Sequence, residues 1–227
     1  MRLVSTTQYM DTVQTTVAGV LAIKESDVNI SVRRLGGAFG GKISQQNNVA
    51  AACAVAANKL RRPVRMKMDL RTNMEMLGKR LPFLFKYKAT VDGDKKLTGV
   101  SMKIYCDSGY AYNESTADAA AKFAKNVYKS RSWRLSPSAV RTDKASNTYV
   151  RAPGTTQGHA AIETVMDHLA HDLGMDPLEL RMINMIGADK DHPIRDIVDK
   201  LKTSSNYEAR KVEIKTFNKV CVEYKLI

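Results

Sequence analysis

The stretch Leu35-Gly36-Gly37-Ala38-Phe39-Gly40-Gly41-Lys42 is the part of this chain best suited to chemistry. Its glycines can take positive φ and turn successive backbone N–H groups toward one point. Placed between a strand and a helix, such a nest cradles an anionic group. A tight strand-to-helix turn is the plainer reading, but it needs fewer glycines. The spacing Gly36-x-x-x-x-Gly41-Lys42 also approaches a phosphate-binding P-loop, which requires Ser or Thr next to reach magnesium. The next residue is Ile43. A second acid for the metal is equally hard to find, because the run ending at Asp107 is interrupted by Lys103. Nucleotide hydrolysis is therefore disfavoured. Cys53, Cys106 and Cys221 lie far apart with no CxxC pair, which argues against a zinc or iron–sulfur site within the chain. Each is expected to pack as a small reduced core residue.

The loop needs elements on both sides. Val28, Ile30 and Val32 alternate with Asn29, Ser31 and Arg33, which predicts a half-buried strand before it. Residues 49–60 are rich in alanine and predict a helix after it, with side chains small enough to approach a sheet closely. Val13, Val17, Val20 and Leu21 share one face of a helix over 12–23. Val64, Met66 and Met68 alternate with Arg65 and Lys67, predicting a further strand. Phe85, Tyr87, Ala89 and Val91 alternate up to Asp92-Gly93-Asp94, and Val100, Met102 and Ile104 alternate beyond it, so an antiparallel hairpin is expected. Residues 113–134 hold few large apolar side chains and read as a long excursion. Ile162, Val165, Met166, Leu169 and Leu173 define a helix over 156–173, with Gly174 as its C-cap. Asp176-Pro177-Leu178-Glu179 combines an N-cap, an N-terminal proline and a capping-box glutamate. A last helix starts near residue 205, with Tyr207, Ile214, Phe217, Cys221 and Tyr224 on one stripe. It reaches Ile227 without a stop signal, so the chain is expected to be cut there. The fold class expected is α+β, mixed sheets with packed helices.

The chain has 227 residues, enough for one large domain or two modest ones. No apolar run approaches the roughly 18 residues that a membrane span needs, and the first residues lack a signal-peptide apolar region. A cytoplasmic chain is the default. The formal net charge is +13, a field that attracts anions. The basic residues are dispersed, in short pairs such as Arg33-Arg34 and Lys95-Lys96, without a recognised nucleic-acid motif. A solvated surface, or one covered by partner domains, is the preferred reading, and no nucleic-acid partner is expected.

Gly36 to Lys42 resembles the glycine–phenylalanine signature of the molybdenum hydroxylases, the family of xanthine dehydrogenases and aldehyde oxidases. Three further segments agree in order. Val4-Ser5-Thr6-Thr7-Gln8 resembles that family's glutamine-bearing segment. Ser146-Asn147-Thr148-Tyr149-Val150-Arg151-Ala152-Pro153-Gly154 resembles its arginine-bearing signature, which Gln157 and Glu163 continue. Asn206-Tyr207-Glu208-Ala209-Arg210-Lys211 is similar to a segment further downstream. The resemblance covers nearly the whole chain. It implies molybdenum–molybdopterin as cofactor, with Gln8, Phe39, Gly40 and Arg151 as cofactor-binding residues. Of these, Gln8, Phe39 and Arg151 surround the molybdenum. It implies residues 1–186 as a first molybdopterin-binding subdomain and 187–227 as the start of a second. It implies that 2Fe-2S clusters and FAD belong to the full-length enzyme and are not bound by this chain, and that full-length members are homodimers.

Two departures bear on substrate. Xanthine dehydrogenases carry a glutamate after the glycine loop, where this chain has Ile43, and an arginine where it has Ala119. Neither replacement can hydrogen-bond a purine, and a site built for polar edges loses heavily without them. The resemblance is thus nearer to aldehyde oxidases, with aldehyde oxidation to carboxylic acids implied. Pro153 stands where the family often has a substrate-stacking aromatic ring, and the Arg-Ala-Pro-Gly form resembles insect-type members. The pocket residues implied are Ile43, Ala119 and Pro153. The family's glutamate base lies in a segment outside this sequence, so no catalytic residue is expected within it. Glu163, on a helix, is expected to be structural, a partner for an amide or arginine. The chain alone is expected neither to hold the cofactor tightly nor to turn over. A xanthine dehydrogenase-like purine hydroxylase fragment, and a non-catalytic basic fragment that binds nucleic acid or a protein partner, are the alternatives.

Overall fold

The computed structural model describes residues 1–187 and 193–223. Strand β1 (Arg2–Val4) pairs in parallel with β2 (Asn29–Ser31). Helix α1 (Met10–Leu21) connects them through a short 3-10 turn, Glu25–Asp27. Helix α2 (Gln46–Leu60) follows the glycine loop. Val13 and Val17 of α1, Ala50 and Ala54 of α2, and Val28 make a small core. The alanines of α2 pack on α1, in the same core as Leu3 of β1 and Ile30 of β2. Val20, expected on the buried stripe, is exposed; Ala18 takes its place.

The second and larger core rests on a sheet ordered β3-β4-β5. β3 (Phe83–Val91) and β4 (Leu97–Gly109) form the expected antiparallel hairpin, turning through Asp92, whose carboxylate accepts from the Asp94 and Lys96 amides. β5 (Ser132–Arg141) adds in parallel to β4. Helices α4 (Ala117–Phe123), α5 (Thr155–Asp172) and α6 (Pro177–Asn184) complete this half. Val100, Met102 and Ile104 of β4 pack with Ile162, Val165 and Met166 of α5. Asp176 caps α6 through the amides of Leu178 and Glu179, and Gly174 stands at φ +63° just past α5.

Two expectations are corrected. Residues 64–68 form no strand; Pro63 lacks an amide hydrogen, no strand lies alongside, and the Val64 carbonyl accepts from the Cys53 thiol. Helix α3 (Leu70–Met76), capped by Asp69 through the Thr72 amide, follows instead. The ambiguous stretch 113–134 contains α4 and the start of β5. The final helix is preceded by another. α7 (Pro193–Ser204) and α8 (Tyr207–Glu223) meet across Asn206, which takes φ +51°. On the proposed stripe, Ile214 and Phe217 are exposed, while Tyr224 and the Cys221 side chain lie outside the described residues. Cys106 is buried and free, and Cys53 is half-buried and free.

Candidate functional site: a glycine loop locked to an arginine turn

The loop after β2 turns back through Gly37 at φ +104°, Phe39 at +51° and Gly40 at +99°. Gly36 and Gly41 stay out of that region, so two glycines and a phenylalanine carry the reversal. For Phe39 the left-handed conformation costs about 1–2 kcal/mol, so the surroundings must hold it. They do so from two sides. On one side, the Gln8 Oε1 accepts from the Gly40 and Lys42 amides at 3.0 and 3.2 Å, and the Gln8 amide donates to the Lys42 carbonyl at 2.8 Å. Buried Thr7 supports this clasp; its hydroxyl accepts from Gln46 Nε2 at 2.7 Å and donates to Lys42 O at 3.3 Å. On the other side, the Arg151 amide donates to the Phe39 carbonyl at 2.7 Å.

Gly40 is where the two sides touch. A Cβ there would stand 2.9 Å from the Tyr149 carbonyl oxygen and 3.1 Å from its Cβ. The arginine segment then turns through Ala152 at φ +58° and Gly154 at +75° into α5. A Cβ on Gly154 would sit 2.7 Å from the Ala119 Cβ. The structure therefore brings Gln8, Phe39, Gly40 and Arg151 together by direct bonds, and sets Ala119 against the turn that carries Pro153. Ile43 is half-buried at the loop's exit, its carbonyl accepting from Thr12 and Gln46.

Two residues not read from the sequence hold the arrangement. Glu114 is only 9% exposed. Its carboxylate accepts from Ser44 Oγ at 2.9 Å, Thr148 Oγ1 at 2.8 Å and the Tyr149 amide at 2.7 Å. It thus ties the exit of the glycine loop to the arginine segment. Burial, reinforced by the Glu114 charge, pushes the neighbouring Tyr149 phenol up from its ordinary value. Arg80 donates from Nη2 to the Arg151 carbonyl at 2.9 Å, while its Nη1 is buried with no hydrogen-bond partner among the described residues. The signals were weak. Glu114 fell in the ambiguous stretch, and Arg80 in a basic run without periodicity.

Glu163 stands apart, within α5. It accepts from Asn126, Tyr128 and Arg181, at 2.7 to 2.9 Å. Its partners are an amide, a phenol and an arginine. Burial first, then the hydrogen bond to Glu163 and its charge, push the Tyr128 phenol far up. The Arg181 guanidinium is also pushed up, because its bonds to Glu163 and Asp167 outweigh its burial.

Unspent donors gather at the loop pair. The Gln8 side-chain Nε2 makes no bond to the described residues, while its Oε1 is already engaged. With Arg80 Nη1 and the exposed Arg151, this set offers donors and positive charge. It contains no thiolate or imidazole. Among the described residues no group of three or more His, Cys, Asp or Glu side chains could hold a metal ion. The donor set fits an anionic, oxygen-bearing group that brings its own metal ligands.

Residues 1–185 match the family of the molybdopterin cofactor-binding domain. The chain belongs to this family. The probable aldehyde oxidase 2 of Oryza sativa subsp. japonica is 34% identical over 225 residues, covering 93% of the chain and 17% of that relative. The xanthine dehydrogenase of Drosophila subobscura is also 34% identical, over 230 residues, covering 96% of the chain and 17% of that protein. Among solved structures, quinoline 2-oxidoreductase from Pseudomonas putida 86 is similar, with TM-score 0.78 and 25% identity over 96% of the chain and 30% of its own. This molybdopterin cofactor-binding domain chain therefore spans about a sixth of the length of the curated relatives it matches. It is a segment of the aldehyde oxidase and xanthine dehydrogenase group, and the α+β fold agrees with its structural neighbours.

Proposed function

We propose that this chain builds one wall of a molybdenum–molybdopterin site in an aldehyde oxidase-like oxidoreductase. The observation that carries the reading is the direct lock between the two loops, Gln8 on Gly40 and Arg151 on Phe39. When bound, the molybdenum–pterin group supplies oxygen insertion and takes up the electrons removed from substrate. The chain's own residues bind and orient. Gln8, its oxygen pinned by two backbone amides, keeps its NH2 group free to donate. Gly40 lets main chain approach closely, and Arg151 and Arg80 balance negative charge. Gln8, Phe39 and Arg151 surround the metal in this reading. We assign no catalytic residue within the chain.

Aldehydes are favoured over purines because Ile43 and Ala119 offer no hydrogen bond or charge to a purine edge. Pro153 completes this apolar set. Xanthine dehydrogenase-like purine hydroxylation is the second reading, carried by relatives such as that of Drosophila subobscura. Residues 1–186 and 187–227 are proposed as parts of two subdomains. The full-length protein is proposed as a cytoplasmic homodimer passing electrons to iron–sulfur and flavin groups outside this chain, without a nucleic-acid partner. No described helix is long and apolar enough to cross a membrane.

The test measures molybdenum and oxidised-pterin fluorescence retained by the purified chain after dialysis against released cofactor. Detectable, weak retention is expected, cut about tenfold or more in Gly40→Ala, the effect of some 1.4 kcal/mol. Equal retention by wild type and variant would reject the site. In a loaded enzyme containing this chain, benzaldehyde should be oxidised well ahead of xanthine; the reverse order selects the second reading.

A further inference from the structure

The sheet β3-β4-β5 packs one face on α4 and α5, and its other face is left open by the described residues. On the open face, Lys86 stands directly opposite Lys103. One row along, Ser101 lies between Lys88 and Arg134. All four cations are exposed, and none forms an ion pair among the described residues. Next to the Lys86–Lys103 row on the same face, Pro82, Leu84, Tyr105 and Val140, with Lys86 and Asp107, line an open hollow of about 460 Å³, with Leu84 55% exposed. Asp107 is the acid among the lining residues, and its Oδ1 accepts from the Gly109 amide and from Thr142, so the apolar end of an incoming segment, not its carboxylates, belongs beside it.

Lysines on edge strands blunt unwanted strand pairing, which accounts for Lys86, Lys88 and Arg134. It does not account for Lys103, on the central strand, where a like charge directly opposite is destabilising. That arrangement is relieved when negative charge lies over it. Rows on one face of a strand are roughly 6.6–7 Å apart, the spacing of alternate side chains in any extended peptide. We propose that this face binds an extended acidic polypeptide segment. Its alternate carboxylates lie over the Lys86–Lys103 and Lys88–Arg134 rows, and an apolar side chain enters the hollow beside Leu84. A nucleic acid fits less well, because Tyr105 is the one aromatic ring in these rows and bases need stacking platforms.

The experiment titrates the 227-residue chain into a labelled peptide with glutamates at alternate positions followed, in the same alternation, by leucine. Saturable binding is expected. It should weaken as salt rises and fall about tenfold or more in the K86Q/K103Q double variant. Leu84→Ser, at a position 55% exposed, should weaken it several-fold by removing an apolar wall of the hollow. Circular dichroism checks that both variants keep the fold, and the double variant should melt no lower than wild type. Three results overturn the proposal. They are no saturable binding, binding indifferent to both substitutions, or preference for an oligonucleotide of equal charge.

Discussion

Gly40 and Glu114 do opposite jobs at the same junction. Gly40 leaves room, and Glu114 fills it with hydrogen bonds. Gly40→Ala drives a methyl against the Tyr149 carbonyl in a backbone region that L residues rarely adopt, costing about 2–3 kcal/mol by the usual range for such strain. Urea denaturation of the apo chain measures this without any cofactor; a cost under half of that would mean that the loops part easily. Glu114→Ala strands the Tyr149 amide and the Thr148 hydroxyl, both in the buried seam. We expect a loss of about 3 kcal/mol, from unsatisfied groups at about 1–3 kcal/mol each. Glu114→Gln keeps an acceptor oxygen and should recover much of it. If the glutamine variant is as unstable as the alanine, charge rather than hydrogen bonding holds the seam.

Between elements, Glu163 of α5 gathers the turn after α4 through Asn126 and Tyr128, and α6 through Arg181. The Tyr128 phenol keeps its proton in the folded state well above its ordinary value of 10.0. The unfolded chain loses that proton sooner, so stability is full below about pH 10 and falls as pH rises beyond it. Tyr128→Phe should flatten this alkaline decline while losing about 1 kcal/mol at neutral pH. Denaturant midpoints at pH 8 to 11 decide; parallel slopes in both proteins would remove Tyr128 from the account. Asp176 runs the other way. Against its burial, the bond from Lys211 and the amides of Glu179 and Leu178 hold its carboxyl below the ordinary value of 3.8. Its contribution is present above pH 3.8 and disappears as pH falls through the folded value. Asp176→Ala should cost about 1 kcal/mol at neutral pH, and less in acid.

What the sequence showed at this scale followed local rules. The β3–β4 hairpin, α5 and the α6 cap were readable because alternation, helical spacing and capping chemistry are written in neighbouring residues. β5 was not, because its Ser, Arg and Pro residues carry no strand signal, and only pairing with β4 makes them a strand. The 64–68 strand failed for the converse reason. It had the alternation and no partner. In the candidate site, Gln8, Phe39 and Arg151 were legible as parts of family motifs; Glu114 and Arg80 act through contacts with residues far away in sequence, which no local pattern announces.

Across the whole molecule, the helices α7 and α8 expose Ile197, Leu201, Ile214 and Phe217, each about 60% or more in the open. Scattered apolar residues are normal on a surface, but contiguous patches bind or aggregate. The chain should therefore bind a hydrophobic dye in its native state and associate as concentration rises. Phe217→Glu should reduce both, as light scattering and dye fluorescence would report. Unchanged dye binding would place the responsible patch elsewhere, for example on α3, where Leu70 is 77% exposed.

The short bond between the Arg151 amide and the Phe39 carbonyl joins opposite halves of the chain. Closing so long a loop is entropically costly and must precede any reward from the contacts it brings. Neither half can acquire the site during its own folding, whatever its local order. Ligand competence is thus expected to appear after secondary structure and after both cores, as the final event of folding and the first lost on mild unfolding. A pocket assembled in that order doubles as a checkpoint, because a misdocked chain would carry every residue of the motif and still offer the cofactor nothing to hold.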